Sequence, residues 1–220
     1  MNSKKKACCT FTLLVSMVLI LCGCALFKTP FKEVAEQSGV HTLIGDTVFN
    51  RVAFRTWEGN AIWFTNLYHT GILIPAGTEC TIKDISKDAI TFVANGREYS
   101  LREWVTSASP QDIRLFFDKF FAEDKDGIGL DRVNPRFQES VSSGVDEIDM
   151  TKEEILLSLG YPAYLGRNDP TKDDSREFIL SQSDWCYLKS RKDKRLFIFK
   201  GDKLYKMGER FDQTIDQTID

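Results

Sequence analysis

The side chains best suited to nucleophilic catalysis in this chain are a few cysteines and two histidines, His41 and His69. A Cys–His or Ser–His mechanism needs a base within hydrogen-bond reach of the nucleophile, so it must use one of these histidines. The least unfavourable pair for a thiol hydrolase is His69, in Tyr68-His-Thr-Gly71, with Cys80. The sequence marks no third group to orient the base, and an exposed turn is the commoner place for such a histidine. We therefore predict a non-enzymatic protein, with a thiol hydrolase as the remote alternative.

Motifs for metal and phosphate chemistry are missing from the sequence. It contains no Gly-rich phosphate loop, zinc signature or dinucleotide fingerprint. The charged run Glu123–Gly127 lacks the acidic spacing and the closing glutamate of an EF-hand loop, which indicates a solvent-exposed linker. Cys80 and Cys186 are too widely separated for metal-ligand spacing. We expect no metal and no cofactor.

Cys24 suits a different reaction, the attachment of lipid. Lys4, Lys5 and Lys6 form a basic start, an apolar stretch runs from residue 7 to 21, and the small Gly23 precedes the cysteine. This is the layout of a removable signal, and it is too short for a membrane span. The run Leu21-Cys22-Gly23-Cys24 resembles the lipobox of bacterial prolipoproteins. The resemblance implies cleavage before Cys24 and acylation of its thiol and new amine, whereas the alternative is a simple secretory signal followed by an ordinary thiol.

The expected acyl chains also predict a location. Two or three chains on one residue are enough for stable anchoring, so the membrane is the first partner we expect. Ala25 follows the anchor where an aspartate would indicate inner-membrane retention in enteric-type bacteria. We predict a lipoprotein of the outer membrane that faces the periplasm. The inner membrane and the cell surface stay open because this sorting rule varies between organisms.

The charge balance argues against nucleic-acid binding. Removal of residues 1–23 takes away three lysines and no acids, so 26 basic side chains face 32 acidic ones and the mature net charge is −6. A chain this acidic repels the phosphate backbone, and we expect no nucleic-acid partner.

Only Cys80 and Cys186 remain as cysteines beyond Cys24. An oxidising periplasm would permit a disulfide between them, provided that their Cα atoms approach within about 7 Å. The alternative is two half-buried strand residues, and the sequence leaves both interpretations open.

The first half of the mature chain predicts a tether followed by short strands. Residues 24–45 indicate the lipidated tether, with a little helix around residues 31–37. Between residues 46 and 107, short β-rich pieces alternate with turn signals. Asn95-Gly96, between residues 90–94 and 97–101, is a strong signal for a type I′ hairpin. We predict a small antiparallel β-barrel of SH3-like kind.

Residues 108–148 predict one amphipathic helix and then a weakly structured linker. Ser109 is a suitable N-cap, Pro110 suits the first helical position, and Asp112 lies in the first turn. An apolar stripe follows, which we expect to pack against the core. Its members are Ile113, Phe116, Phe117, Phe120 and Phe121.

Residues 149–208 predict a helix followed by an antiparallel meander, and residues 209–220 a flexible tail. Thr151 and Glu154 have capping-box spacing, with Met150 and Ile155 placed as a hydrophobic staple. Gly160 in the left-handed conformation, followed by Pro162, is expected to end the helix after about nine residues. A polar, flexible stretch from residue 166 to 183 precedes three strands, at residues 184–188, 195–200 and 203–207.

This order resembles the SmpA/OmlA (BamE-like) lipoprotein family. The residues that carry the resemblance are Met150-Thr151, Glu154, Leu159-Gly160, Pro162, Trp185-Cys-Tyr187 and Phe197-Ile-Phe199 before Gly201-Asp202. It covers residues 148–207. The sequence departs from the family's pattern at Asp149, where glycine is usual, and in the strand-rich region that precedes the module. The resemblance implies a two-layer α+β module that acts as a non-catalytic accessory of outer-membrane β-barrel assembly.

Four aromatic side chains near the module are candidates for a partner-binding surface. They are Tyr161, Tyr164, Trp185 and Tyr187, and such residues dominate the energetics of many interfaces. The alternative, which strand alternation favours, is that Trp185 and Tyr187 line the inner face of one strand.

Two functions follow from these patterns. The first is a scaffold or accessory in envelope assembly that contacts other envelope proteins, such as barrel-assembly components. The alternative is a cell-wall or peptide-binding lipoprotein that works through its SH3-like region.

Overall fold

The described part of the chain contains two larger β-sheets, a two-stranded ladder and five α-helices. The computed structural model describes residues 31–56, 59–63, 69–102, 109–165, 169–170, 174–190 and 193–210. The strands are β1 Thr47–Asn50, β2 Phe54–Arg55, β3 Ala61–Trp63, β4 Leu73–Ile74, β5 Glu79–Ile85, β6 Ala89–Ala94, β7 Arg97–Arg102, β8 Phe121–Ala122, β9 Tyr164–Leu165, β10 Asp169–Pro170, β11 Asp184–Leu188, β12 Lys194–Lys200 and β13 Lys203–Arg210. The helices are α1 Phe31–Gln37, α2 Pro110–Phe120, α3 Gln138–Ser143, α4 Lys152–Leu159 and α5 Arg176–Ser181. The predicted mixed α+β class is confirmed.

The first sheet has the strand order β3-β7-β6-β5-β1-β8. All of its neighbouring strands are antiparallel except the edge pair β3–β7, where Ala61 pairs with Ser100 in parallel. The sequence pattern predicted antiparallel pairing throughout. Three further strands separate β3 from β7 along the chain, which is enough chain for the long connection that a parallel pair needs.

The tightest turn of this sheet is the hairpin between β6 and β7. Ala94 pairs with Arg97 across it, and the two turn residues Asn95 and Gly96 have φ values of 51° and 72°. Positive φ at both positions is the requirement of a type I′ turn, which asparagine and glycine meet at low cost. The predicted hairpin is confirmed.

A short ladder closes beside this sheet, where β2 pairs with β4 through Phe54 and Ile74. Just outside it, the backbone N–H of Thr56 donates to the carbonyl of Ile72 at 3.1 Å, and the Ile72 N–H donates to Oγ1 of Thr56 at 3.0 Å. Gly71 has φ +80°, and a Cβ placed on it would lie 1.8 Å from the carbonyl oxygen of Thr56. Only glycine fits this close approach.

The second sheet has the strand order β10-β9-β11-β12-β13. Its last three strands form the predicted antiparallel meander. The chain just before α4 joins its edge, because the Leu204 N–H donates to the carbonyl of Met150 at 2.8 Å and the Lys152 N–H donates to that of Asp202 at 2.9 Å. Helix and meander are therefore connected by backbone hydrogen bonds.

Helix α4 begins as its sequence predicts. The Thr151 side chain accepts from the N–H of Glu154 at 3.2 Å, and the Glu154 carboxylate accepts from the N–H of Thr151 at 2.8 Å. The helix ends at Leu159, and Gly160 has φ +80° with ψ −166°. This positive φ is not the left-handed helical conformation that the sequence predicted, since ψ is extended.

Helix α2 begins as its sequence predicts and packs into the core that both sheets share. The predicted N-cap Ser109 is confirmed and forms a capping box with Asp112, and the predicted apolar stripe is buried, with Phe121 just beyond the helix on β8. The ring of Phe120 contacts that of Tyr161 with centroids 5.3 Å apart, and the Tyr161 hydroxyl donates to the carbonyl of Lys119 at 3.1 Å. One continuous hydrophobic core includes residues from both sheets and from α2.

Three segments are more ordered than their sequences predict. The expected linker at residues 123–148 forms three 3₁₀ turns and α3, and it buries Ile128, Val133, Phe137 and Val141. The polar stretch before β11 contains α5. The later part of the expected tether forms the predicted α1, whose Val34 and Ala35 join the core. In each segment, apolar residues too sparse to show a period are buried by distant parts of the chain.

Several predictions lie outside the described residues. They are the signal peptide at residues 1–23, the lipid anchor Cys24 with the first part of the tether, and the tail from residue 211 to 220.

Candidate functional site

Cys80 lacks the properties of a nucleophilic thiol. It lies on β5 with its side chain fully buried, and its Sγ donates to the carbonyl of Thr78 at 3.4 Å. Burial raises the pKa of this thiol to about 12, despite the nearby backbone N–H of Asn50, which acts in the opposite direction. Only the thiolate attacks substrates, so Cys80 is unreactive at neutral pH.

The second member of the proposed pair, His69, faces a carboxylate. Its Nε2 lies 3.0 Å from Oδ1 of Asp146, a side chain that is only 4% exposed. His69 itself is 39% exposed and has φ +53°, a left-handed conformation that is uncommon for residues other than glycine. The contact joins the turn before β4 to the chain after α3.

The two cysteines of the body lie in different sheets, Cys80 on β5 and Cys186 on β11. Both are buried thiols, and no disulfide joins them. The interpretation as strand residues therefore describes them in this structure, although both are fully buried and not half-buried as expected.

Three of the four aromatic candidates are inside the protein. Tyr161 is 1% exposed, and Trp185 and Tyr187 are fully buried. The Trp185 indole donates to the carbonyl of Ile179 at 3.0 Å, and the Tyr187 hydroxyl donates to that of Gly160 at 2.8 Å. This corrects the expectation of a recognition surface, because these side chains fasten α5 and the end of α4 to the second sheet. Tyr164 is half-buried, with Nζ of Lys194 4.7 Å from its ring centre.

A polar cleft of about 240 Å³, here called the arginine cleft, lies among the described residues. Its polar lining consists of Arg51, Arg132, Thr151, Glu153, Glu154 and Arg176. These residues come from four places in the chain: the end of β1, the 3₁₀ turn Leu130–Arg132, the start of α4 and the start of α5.

Arg51 is held in the cleft through its backbone and its Nε. Its N–H donates to the carbonyl of Phe120 at 2.8 Å, and its Nε donates to that of Phe121 at 3.0 Å. Both bonds go to the junction of α2 and β8. They orient the guanidinium, and neither of its two terminal nitrogens takes part in them.

Arg176 is a largely enclosed arginine of the cleft, with 17% of its side chain exposed. Its Nη1 donates to the Tyr161 hydroxyl at 3.1 Å, and its Nη2 forms an ion pair with Glu153. Burial acts against its charge, but Tyr161 and Glu153 more than compensate, so the pKa of Arg176 lies above its ordinary value. The pKa of Tyr161 is also raised, chiefly by burial, although the charges of Arg176 and Arg51 act the other way.

Glu154 contributes charge to the cleft but has little capacity to accept further hydrogen bonds. It is 5% exposed. Its Oε1 accepts from the backbone N–H of Asn134 at 2.8 Å, and its Oε2 accepts from both the N–H and the hydroxyl of Thr151. Glu154 therefore ties the 3₁₀ segment to the start of α4.

The charges of the arginine cleft do not balance. Three arginines face two glutamates, which leaves one positive charge in a protein that is acidic overall. Among the described residues, neither Arg51 nor Arg132 belongs to an ion pair. Guanidinium groups bind planar oxyanions through paired hydrogen bonds, so the cleft is suited to an anionic group.

An apolar hollow of about 220 Å³ adjoins the arginine cleft, and Val133 lines both. The hollow is lined by Pro75, Ala76, Leu130, Val133, Val141, Gln138 and Ser142. A positive cleft beside an apolar hollow can receive a ligand that carries a negative group next to an apolar one.

The sequence predicted neither cavity. Arg51, Arg132 and Arg176 are far apart in the chain, and no fixed spacing connects them. The one local signal was the segment Asp126–Arg132, whose glycines and charges were interpreted as linker. A search for arginines with no carboxylate three or four positions away in the chain would have noted Arg132. It could not have shown that Arg51 lines the same cleft.

Comparison with known proteins adds no identification: no family model, curated protein or solved structure matches this chain. Across the described residues, the helices lack the combination of length and hydropathy that a membrane span requires. Within the same residues, no group of histidine, cysteine and carboxylate side chains could hold a metal ion.

Proposed function

We propose that this protein is a lipid-anchored lipoprotein of the bacterial envelope whose folded body binds another envelope protein. The observation that carries the proposal is the sequence Leu21-Cys22-Gly23-Cys24 behind a basic start and a short apolar stretch. Acyl chains on Cys24 hold the body at the outer membrane, and Ala25 favours its periplasmic side. Everything beyond Cys24 then works outside the cytoplasm.

The role of the body in this proposal is non-catalytic binding. Two properties support it: the Cys80 thiol is buried and protonated at neutral pH, and Glu154 and the Arg176–Glu153 pair of the arginine cleft are held in structural contacts. The remaining positive charge of the cleft can complement a negative group on a partner, which favours specific association.

The likeness to the SmpA/OmlA (BamE-like) family extends the proposal to barrel assembly. Its support is the order of capped helix and three-stranded meander in residues 150–207, with Trp185 and Tyr187 on the strand that follows α5. The body in this proposal contacts components of the outer-membrane β-barrel assembly machinery.

The anchor is tested by labelling growing cells with radioactive palmitate. The wild-type protein is expected to incorporate label and to sediment with outer membranes, and Cys24→Ala is expected to lose both properties. Cys9→Ala is the matched control, because this cysteine lies in the signal and should leave labelling unchanged. Label retained on the Cys24→Ala protein would contradict the proposal.

The partnership is tested by co-purification of the full-length lipoprotein in mild detergent. Barrel-assembly components are expected in the eluate and should be missing from a parallel purification of an unrelated outer-membrane lipoprotein. Recovery of none of them, with the protein intact and lipidated, would reject the assembly role.

A second candidate is a reader of cell-wall glycan or peptide that uses an SH3-like region. Its support is the run of short strands joined by tight turns between residues 46 and 102, including the type I′ hairpin. The full-length protein is then expected to sediment with purified sacculi in detergent. A protein that stays in the supernatant would exclude this function.

A further inference from the structure

The arginine cleft and the apolar hollow are neighbouring cavities. Val133 lines both, and Leu130 of the hollow directly follows Gly129 of the cleft. Each cavity is smaller than the roughly 300–1,000 Å³ of a typical ligand pocket. Each therefore has room for one chemical group, and the two groups must be close together in the ligand.

The charge of the cleft selects the anionic group. Its arginines exceed its glutamates by one, which balances a single negative charge. A phosphate monoester carries about −1.5 to −2 at neutral pH and would meet the two glutamates with excess negative charge. A carboxylate carries one charge and matches the planar donor pattern of the free guanidinium ends of Arg51 and Arg132.

The lining of the hollow selects the apolar group. Five apolar residues form it, while Gln138 and Ser142 add hydrogen-bonding groups. An acyl chain needs a long apolar tunnel, which this hollow is too small to supply. A single side chain with its peptide backbone uses both the apolar and the polar lining.

We infer that this site binds the C-terminal residue of a partner polypeptide, with its carboxylate in the arginine cleft and its apolar side chain in the hollow. The inference rests on the proposed role as a protein-binding lipoprotein and names the part of the partner that is recognised. A chain end is the simplest source of a carboxylate directly beside an apolar side chain. Capture of terminal carboxylates is an established mode of peptide recognition.

Arg132 is the residue on which to test the inference. It is exposed and belongs to no ion pair among the described residues, so its replacement should leave the fold intact. Arg136 is a matched control in the same segment. It is 63% exposed, lies 3.9 Å from Asp149 and does not line the arginine cleft.

The experiment measures binding of short peptides to the full-length lipoprotein in detergent by titration calorimetry. The first probe is the N-acetylated peptide Gly-Ser-Thr-Ser-Phe with a free carboxylate. Companion probes are its C-terminal amide, an amide that ends in aspartate, and inorganic phosphate. The free acid is expected to bind at least about tenfold more tightly than its amide, because the amide loses the charge-assisted hydrogen bonds.

The variants should separate the two halves of the site. Arg132→Gln is expected to weaken binding of the free acid about tenfold while the melting temperature stays unchanged. Arg136→Gln should bind as the wild type does. Leu130→Ala should weaken the peptide that ends in phenylalanine more than one that ends in serine.

Four results would overturn the inference. Three of them are equal binding of acid and amide, wild-type affinity in folded Arg132→Gln, and equally tight binding of the aspartate amide, which would show that a chain end is not required. Displacement of the peptide by equimolar phosphate would likewise replace it with a general oxyanion site. None of these results affects palmitate labelling or membrane sedimentation, so failure of this inference is distinguishable from failure of the proposed function.

Discussion

A single buried thiol shows how environment decides the chemistry of a residue. The sequence alone makes Cys80 a possible nucleophile, yet its place on β5 buries the side chain fully and raises the pKa of the thiol. The sequence could identify it as a candidate nucleophile only because burial cannot be seen in a residue type. The same burial makes its proton a contributor to stability.

The Cys80 thiol is expected to make the fold sensitive to alkali. Between the ordinary thiol pKa of 9.0 and about 12, the unfolded chain has lost this proton while the folded chain retains it. The free energy of unfolding should therefore fall as pH rises through this window, by up to about 1.4 kcal/mol per pH unit. Denaturant unfolding of the wild type and of Cys80→Ala, from pH 8 to pH 11, isolates this contribution as the difference in slope.

Thr81→Ala serves as the control for that measurement. Thr81 is the next residue on β5, is half-buried and has no ionisable group in this range. Its replacement should leave the alkaline slope at the wild-type value. Equal slopes for the wild type and Cys80→Ala would show that the thiol is accessible to water in the folded protein.

At the residue scale, the candidate site was the least predictable feature. Thr151 and Glu154 were foreseen as a capping box because their interaction is local. Glu154 also accepts from the N–H of Asn134, which lies 20 residues away in the chain, and Thr151 and Glu154 both line the arginine cleft. These contacts are not local and could not be foreseen. Arg51 and Arg176 line the same cleft although they are 125 residues apart in the chain, and no local pattern encodes that placement.

Secondary-structure elements offer two capping boxes that differ in their surroundings. The box of α4 pairs Thr151 with the buried Glu154, and the box of α2 pairs Ser109 with Asp112 near solvent. Thr151→Ala removes the hydroxyl that accepts from the backbone N–H of Glu154 and donates to its carboxylate. Because Glu154 is only 5% exposed, this loss should lower the free energy of unfolding by about 1–2 kcal/mol.

Ser109→Ala is the matched comparison. Water can replace the lost bonds at this exposed end, so the cost should be nearer about 0.5 kcal/mol. Urea unfolding of both variants measures the difference. A larger loss for Ser109→Ala than for Thr151→Ala would contradict the assigned burial of the two boxes.

Two glycines test the turn that leads into β4. Gly71 and Gly39 have similar φ values, +80° and +76°, but a Cβ on Gly71 would meet the Thr56 carbonyl oxygen whereas Gly39 has open space around it. Both changes to alanine incur the strain of a left-handed residue, about 1–2 kcal/mol. Gly71→Ala should cost about 1–3 kcal/mol more because the backbone must move.

Thermal or urea unfolding of these two variants provides the comparison. Equal stability of Gly71→Ala and Gly39→Ala would show that the chain around Thr56 and Ile72 yields without cost. The ladder between β2 and β4 would then contribute little to the fold.

Elements with complete local signals were the predictable ones. The Asn95-Gly96 hairpin, α2 and α4 each carry their turn or cap residues within a few positions, and all three are present. The parallel pairing of β3 has no such signal. Helix α5 and the 3₁₀ turn Pro135–Phe137 do have capping residues, Ser175 and Asn134, but the elements are short and their apolar residues are too sparse to show a period.

The packing of the whole body predicts that it unfolds as one cooperative unit. Its hydrophobic core runs without a break from α1 and the first sheet through α2 to α4 and the second sheet. Ile90 on β6 and Ile155 on α4 are both fully buried. Ile→Val at either position should cost about 0.5–1.5 kcal/mol and shift the same single transition in fluorescence and circular dichroism.

Ile72→Val is the control, since Ile72 is 44% exposed and should change stability little. Two separate transitions, each shifted by only one of the buried variants, would show that residues 46–107 and 149–208 unfold independently. That outcome would show that the two modules expected from the sequence are also separate units of unfolding.

The bond from the Arg51 side chain to the Phe121 carbonyl joins residues 70 positions apart, and β1 pairs with β8 at the same place. Contacts between such distant positions form slowly, because a long loop must close before they can compensate for its entropy. A refolding chain is therefore expected to complete the β5–β6–β7 meander early and to add β8 late. Arg51, which is anchored at this junction, would gain its final orientation only at the end of folding, so recovery of binding should lag behind recovery of the strands.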